Sequence, residues 1–140
     1  MQILVAEDNE LFRKFIHKTL IDWNFDAVMV GSGTEAWEAV SNNPDIQVVI
    51  ADWMMPGMNG PELCQKIRQA IQNRYVYIIL LTMKERHEDA VLGFESGADD
   101  YISKPFQRDE FKARLNSGVR VVKFIADQAK RLNLSGGTSD

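Results

Sequence analysis

Val48-Val-Ile-Ala-Asp-Trp-Met-Met-Pro-Gly-Met-Asn-Gly-Pro-Glu62 holds the pattern on which the fold turns. The unbroken apolar run Val48 to Ala51 reads as a buried strand, and Asp52 ends it. Asn59 ahead of Gly60-Pro61-Glu62 reads as a helix cap with proline early in the helix. Outward from this unit the pattern repeats. Ile3 to Ala6, Ala27 to Val30, Val76 to Leu81 and Asp99 to Ser103 are further expected strands. Helical spacing links Leu11, Phe15, Ile16, Thr19 and Leu20, then Ala36, Trp37, Ala39 and Val40. It returns in Leu63, Ile67, Ala70 and Ile71, and in Ala90, Leu92, Phe94 and Glu95 before Gly97. Ser32 or Thr34 can cap the second helix with Glu35 in its first turn, and Gly97 closes the fourth. Five strand-helix units imply an α/β protein with a parallel sheet covered on both faces, because each crossover helix must return the chain to the starting edge.

The bulk properties agree with one domain. The chain has 140 residues, 45% hydrophobic and 26% charged, the balance of a soluble globular protein with a single core. No apolar stretch is long enough to span a bilayer. Met1-Gln-Ile-Leu-Val-Ala-Glu-Asp-Asn-Glu10 has no basic leader before its apolar run, so it does not read as a signal peptide and a cytoplasmic location is expected. The single cysteine, Cys64, rules out an intramolecular disulfide. A formal net charge of -4 gives no general attraction for nucleic acid or anionic lipid, so neither is expected as a direct partner.

The last helix is longer than a covering helix needs. From Gln107 to about Asn133 there is no proline and one internal glycine, Gly118. Gly118, Val122, Ile125, Ala129 and Leu132 alternate steps of four and three, the spacing of a short coiled-coil seam. Before Val119 an ordinary apolar stripe docked on the sheet explains the pattern equally well; beyond it the seam, and a homodimer through it, gains. The expected division is a core domain over residues 1–120, a helical extension over 121–134 and a small, polar, flexible linker over 135–140.

Polar residues fall at the strand ends. Glu7 and Asp8 follow the first strand, Asp52 ends the third, Thr82 ends the fourth and Lys104 follows the fifth. In a parallel sheet these ends share one edge, where ligands of such sheets bind. Three gathered carboxylates repel one another unless a cation intervenes, and magnesium takes such oxygen ligands. Glu7, Asp8 and Asp52 carry three negative charges; Mg²⁺ and Lys104 supply three positive ones. A carboxylate so screened can act as nucleophile toward a phosphoryl group, and the Thr82 hydroxyl can donate to a phosphoryl oxygen. Taken singly, each residue has a plainer role: Asp52 as a turn or cap, Thr82 as a helix cap, Lys104 as a solvated charge, and Glu7-Asp8 as acids opening a helix. Their joint placement is what asks for chemistry.

With these motifs in order, namely Ile3-Leu-Val-Ala-Glu-Asp8, Val49-Ile-Ala-Asp-Trp-Met-Met-Pro-Gly-Met-Asn-Gly60, Leu80-Leu-Thr82 and Gly97-Ala-Asp-Asp-Tyr-Ile-Ser-Lys-Pro-Phe106, the chain resembles the receiver domains of two-component response regulators over roughly residues 2 to 120. The resemblance implies a flavodoxin-like, doubly wound five-stranded sheet of order 2-1-3-4-5, with the extended last helix added to it. It also implies Asp52 as phosphoacceptor, Asp8 as direct magnesium ligand, Glu7 acting through water, and the backbone carbonyl of Met54 as a further ligand. Lys104 would pair with the phosphoryl group, and the Lys104-Pro105 bond would be cis. Thr82 would move toward the phosphoryl group and Tyr101 would turn inward, changing the surface of the fourth helix, fifth strand and fifth helix; at Tyr101 a half-buried strand aromatic is the plainer alternative. Such a domain is a regulatory phosphoacceptor rather than an enzyme, fed by a sensor histidine kinase or phosphotransfer protein and read by an effector.

Met83 and Lys84 depart from the family's commonest pattern, in which a small residue follows the threonine. Met83 is expected to narrow access to the site and Lys84 to alter the lifetime of the phosphate. Trp53, directly after the phosphoacceptor, is expected to modulate the site with Met83 and Lys84 and to report on it by fluorescence. Two rivals are weaker. A phosphatase of the haloacid dehalogenase type needs a second acid where Met54 stands and a cap domain that 140 residues do not accommodate. A receiver fold used purely as an interaction module would not need the full site set. The long last helix resembles that of receivers placed upstream of a larger effector such as a diguanylate cyclase, so either a receiver-effector protein or a single-domain regulator is expected.

Overall fold

The computed structural model describes residues 1–83 and 87–138, with side chains described for 1–83 and 91–132. Five strands alternate with five helices: β1 Gln2–Ala6, α1 Glu10–Asp22, β2 Asp26–Val30, α2 Gly33–Asn42, β3 Ile46–Asp52, α3 Gly60–Ala70, β4 Tyr77–Met83, α4 His87–Glu95, β5 Asp100–Lys104 and α5 Arg108–Thr138. The strands form one parallel sheet of order β2-β1-β3-β4-β5, the expected flavodoxin-like arrangement. Among the described residues no helix is long and apolar enough to cross a membrane.

Period-two geometry explains why the strands are continuous apolar runs. Leu4, Val49, Ala51, Ile78 and Leu80 face a core shared with Ala36, Val40, Leu63 and Ile67 of α2 and α3. Ile3, Val5, Val48, Ile50, Ile79 and Leu81 face the opposite core, with Ile16 and Leu20 of α1 and Phe111 and Leu115 of α5. Both faces are covered, so the central positions of β1, β3 and β4 are apolar whichever face they take.

Helix starts follow their caps. Asn59 accepts from the Glu62 amide while the Glu62 carboxylate accepts from the Asn59 amide, a reciprocal capping box that fixes where α3 begins. Ser32, not Thr34, caps α2, and Asn9 caps α1 by accepting from the Phe12 amide. Gly60 lets α3 begin hard against β3: a Cβ there would sit 2.9 Å from the Asp52 carbonyl oxygen.

β4 and β5 run past their expected ends, because the parallel ladder continues through Thr82 with Ser103 and Met83 with Lys104. Lys104 is therefore the last residue of β5, and Asp99 lies just outside its first.

The last helix differs more. It docks through Phe111, Leu115, Val119 and Val122, and Gly118 permits that approach, since a Cβ there would meet the Tyr77 ring at 2.6 Å. Beyond Val122 the side chains through Leu132 are exposed except for a half-buried Gln128. The helix continues to Thr138, so it takes in the first part of the stretch 135–140 read as a linker. The expected seam is altered at its start: Val122 is only 2% exposed and belongs to the domain core, whereas Ile125 and Leu132 are exposed. Steps of four and three did not distinguish the side that meets the sheet from the side that faces outward.

Candidate functional site

Three loops and two strand ends meet at the carboxyl edge of the sheet. Carboxylate oxygens of Glu7, Asp8 and Asp52 lie within 4.8 Å of one another, Glu7 buried, Asp52 half-buried and Asp8 exposed. Lys104 reaches into this group from β5, its Nζ 2.5 Å from Glu7 Oε1 and 2.9 Å from Asp52 Oδ2. The Lys104-Pro105 peptide bond is cis.

The surroundings hold these charges in place. The Lys104 ammonium lies 4.5 Å from the Phe12 ring centroid, so an aromatic face covers its apolar side. Arg13 donates from Nη1 to the Glu7 carbonyl oxygen at 2.9 Å, tying the first turn of α1 to the loop that carries both acids. Neither role was read from the sequence. The available signal was position alone, since Phe12 and Arg13 fall in the turn directly after Glu7-Asp8.

Electrostatics follow from burial. Loss of solvent pushes the Glu7 carboxyl up to about 7, and the neighbouring Asp52 carboxylate adds to the rise, while Lys104 pulls the other way. Burial works against the charge on Lys104, but its contacts with Glu7 and Asp52 outweigh it and hold the ammonium above its ordinary value. The cluster therefore favours a charged lysine between two acids, one of which ionises reluctantly.

Two polar atoms here are buried without a partner: Glu7 Oε2 and Thr82 Oγ1. Leaving such a group unpaired costs roughly 1–3 kcal/mol, more for a charged one, and native chains rarely do so without a ligand or water in view. A hard cation fits an unpaired carboxylate oxygen beside two further carboxylates, and an anionic oxygen fits an unpaired hydroxyl. The donor set thus suits a magnesium ion on the Glu7, Asp8 and Asp52 side.

The other expected residues are distributed as follows. Trp53 is 9% exposed, packs into the α2–α3 core and donates its amide to the Leu81 carbonyl, adjoining Asp52 on one side and α4 on the other. Met54 follows in the loop with an exposed side chain. Tyr101 is half-buried, edge-on to Phe94 at 5.5 Å, and shares a narrow slot with Thr82, Trp53 and Gly93. Met83 is 63% exposed and lines an open hollow with Leu11, Phe12, Phe15 and Pro105 on the α1 side of Lys104. Lys84 lies outside the described residues. Val122, Ile125, Ala129 and Leu132 are remote from this edge, on the extension of α5.

Comparison with known proteins gives the same picture. A family model described as a response regulator receiver domain matches residues 3–116. The chain is 41% identical over 120 residues to a DNA-binding response regulator, MtrA, of Mycolicibacterium paratuberculosis, covering 85% of this chain and 51% of that protein. It is 34% identical to a chemotaxis protein CheY homolog of Campylobacter jejuni, covering 82% of this chain and 89% of the relative. Among solved structures it is similar to the receiver domain of a sensor histidine kinase from Pseudomonas aeruginosa, which has a magnesium ion coordinated in its active-site cleft: 26% identity, TM-score 0.77, covering 84% of this chain and 96% of that one. The chain spans about half the length of the first of these relatives.

Proposed function

The chain belongs to the response-regulator receiver family, a group of phosphoacceptor regulatory modules rather than enzymes, and on that premise we propose that Asp52 accepts a phosphoryl group in a two-component phosphorelay. The carrying observation is a strand-end carboxylate, Asp52, held 2.9 Å from Lys104 Nζ with two buried, unpaired polar atoms beside it. The donor is a histidine kinase or a phosphotransfer protein. An Asp52 oxygen forms the new bond to phosphorus as the donor's phosphorus–nitrogen bond breaks, and the donor imidazole leaves with its electron pair.

Residues around Asp52 divide the work. Lys104 meets the negative charge of the incoming group and remains paired with it afterwards. The Thr82 hydroxyl donates to a phosphoryl oxygen, which gives Oγ1 the partner it lacks. As Thr82 shifts, Tyr101 turns into the slot they share, and the surface of α4, β5 and α5 changes. Phosphorylation works by biasing two existing arrangements of these groups. Glu7, Asp8, Asp52 and the Met54 carbonyl are the groups that would hold magnesium. When bound, the ion supplies positive charge against the phosphoryl oxygens.

The partner that reads the switch is an effector, on the same polypeptide or separate from it. A cytoplasmic location completes the reading, together with an absence of direct nucleic-acid contact by these 140 residues, which the net charge of -4 supports. The reading divides the chain into the receiver proper, residues 1–120, followed by a helical extension.

Incubation with acetyl phosphate and magnesium tests this. Intact mass should rise by one phosphoryl group in the wild type, with the modified peptide containing Asp52, and should not rise in Asp52→Asn. No gain in the wild type, or an equal gain in the variant, overturns the assignment.

A further inference from the structure

Glu7 and Asp8 are neighbours in the chain, so the plane of the peptide that joins them sets the direction of both carboxylates. Neither belongs to a regular element, since β1 ends at Ala6 and α1 begins at Glu10. The sheet ladder therefore stops short of the two residues that need the most exact placement. Two other bonds take over. The Glu7 amide donates to the Val30 carbonyl at 3.1 Å, and the Glu7 carbonyl accepts from Arg13 Nη1 at 2.9 Å. Among the described residues this is the one hydrogen bond that the Arg13 side chain makes, so the guanidinium serves a backbone carbonyl rather than a carboxylate.

Room for the guanidinium is kept by Gly31, directly after β2. A Cβ there would lie 3.2 Å from Arg13 Nη1 and 3.9 Å from Glu35 Oε1. The Gly31 backbone is outside the left-handed region, so alanine can take its place, but only by crowding Arg13.

We infer that Arg13 is a positioning residue for the divalent-cation site. By pinning the Glu7–Asp8 peptide it holds the Asp8 carboxylate and the unpaired Glu7 Oε2 in the arrangement that a hard cation needs. This rests on the phosphoacceptor reading and deepens it: a residue that contacts neither the cation nor the phosphoryl group sets how well the site is formed before either arrives. The sign of the effect separates positioning from charge. Arg13 is itself positive, so deleting its charge removes a repulsion and by electrostatics alone strengthens cation binding. Loss of a group that orients metal ligands works the other way, typically by 10–100-fold in affinity.

Magnesium titration of the full chain without a phosphodonor tests this, followed by Trp53 fluorescence and by the amide chemical shifts of Glu7, Asp8 and Asp52. Arg13→Ala should raise the magnesium Kd by about tenfold or more. Arg13→Lys keeps the charge and a donor on a differently shaped head, and should recover part of that loss. Gly31→Ala crowds the guanidinium without removing it and should weaken binding by a few-fold. Lys14→Ala deletes the same charge one residue further on, from a side chain that is exposed and paired with Glu10, and should leave the Kd within about twofold of wild type. Circular dichroism of each metal-free variant equal to wild type would show that a change in Kd is local. Arg13→Ala binding magnesium as tightly as the wild type or more tightly, or a loss in Lys14→Ala equal to that in Arg13→Ala, overturns the proposal and leaves the phosphoacceptor reading standing. A wild type in which neither readout responds to magnesium overturns both.

Discussion

Two charged clusters sit at opposite ends of the short strand β5, and they are built to different standards. At its start, Asp99 accepts from Arg68 Nη2 at 2.8 Å, from the Ile78 amide at 2.8 Å and from the Tyr75 hydroxyl, while Arg68 also donates to the Gly97 and Val76 carbonyls. No buried side-chain polar atom among these residues lacks a partner. At its end, Lys104 bridges Glu7 and Asp52, and two buried atoms close by, Glu7 Oε2 and Thr82 Oγ1, have none. The first cluster ties α3, the entry to β4 and the loop before β5 into one unit. The second is incomplete by itself. A charged group on a strand end is therefore informative about function through what remains unpaired beside it, since structural clusters close on themselves.

The largest expected effect is at the closed cluster. Asp99→Ala strands the Arg68 charge, the Tyr75 hydroxyl and the Ile78 amide together, and should cost about 3 kcal/mol in urea unfolding. Magnesium binding, followed by Trp53 fluorescence, should be unchanged in the protein that remains folded. A loss below about 1 kcal/mol would erase the distinction between the two clusters.

Lys104→Ala should invert that result. Phosphoryl uptake from acetyl phosphate should fall by about a hundredfold, the scale of removing one preorganised charge from a transferring group. Stability should change little, because Glu7 can take up a proton once its partner is gone. A stability loss matching that of Asp99→Ala would mean that Lys104 is chiefly structural.

A pH series sharpens the same contrast. The Glu7 carboxyl, at about 7 in the folded chain against an ordinary 4.5, keeps its proton to higher pH when folded than when unfolded. Its contribution must then lower metal-free stability as pH rises from about 4.5 to about 7, with no further change above. Glu7→Gln should remove that slope, and magnesium should flatten it in the wild type. A slope of the opposite sign in the metal-free wild type would contradict the burial-driven shift.

The smallest effect is expected at Met83. Its side chain is 63% exposed in the hollow beside α1, so Met83→Ala should alter stability by less than about 0.5 kcal/mol. Uptake from acetyl phosphate should change only a few-fold. A large acceleration would show that Met83 covers Asp52 in solution.

Much of this was legible in the sequence for a physical reason: the features that fixed it are local. Unbroken apolar runs mark strands buried on both faces, Asn59 and Glu62 mark the start of α3, and an acid or lysine directly after an apolar run marks the carboxyl edge. What escaped depends on contacts between distant residues. Arg68 and Asp99 are separated by 31 positions, and nothing in the adjacent pair Asp99-Asp100 says that the first closes a network while the second pairs with Arg114. Val122 is similar. Seam spacing identified an apolar face on α5, but only the position of Tyr77 against Gly118 decides which side of that face the domain covers. Which atoms remain unpaired is likewise a property of the assembled site.

The most direct test of the central claim reads Trp53, 9% exposed and next in sequence to Asp52, during titration with beryllofluoride in the presence of magnesium. A saturable fluorescence change is predicted in the wild type, lost when magnesium is chelated and absent in Asp52→Asn. A silent wild type, or a variant that responds as the wild type does, would contradict the account.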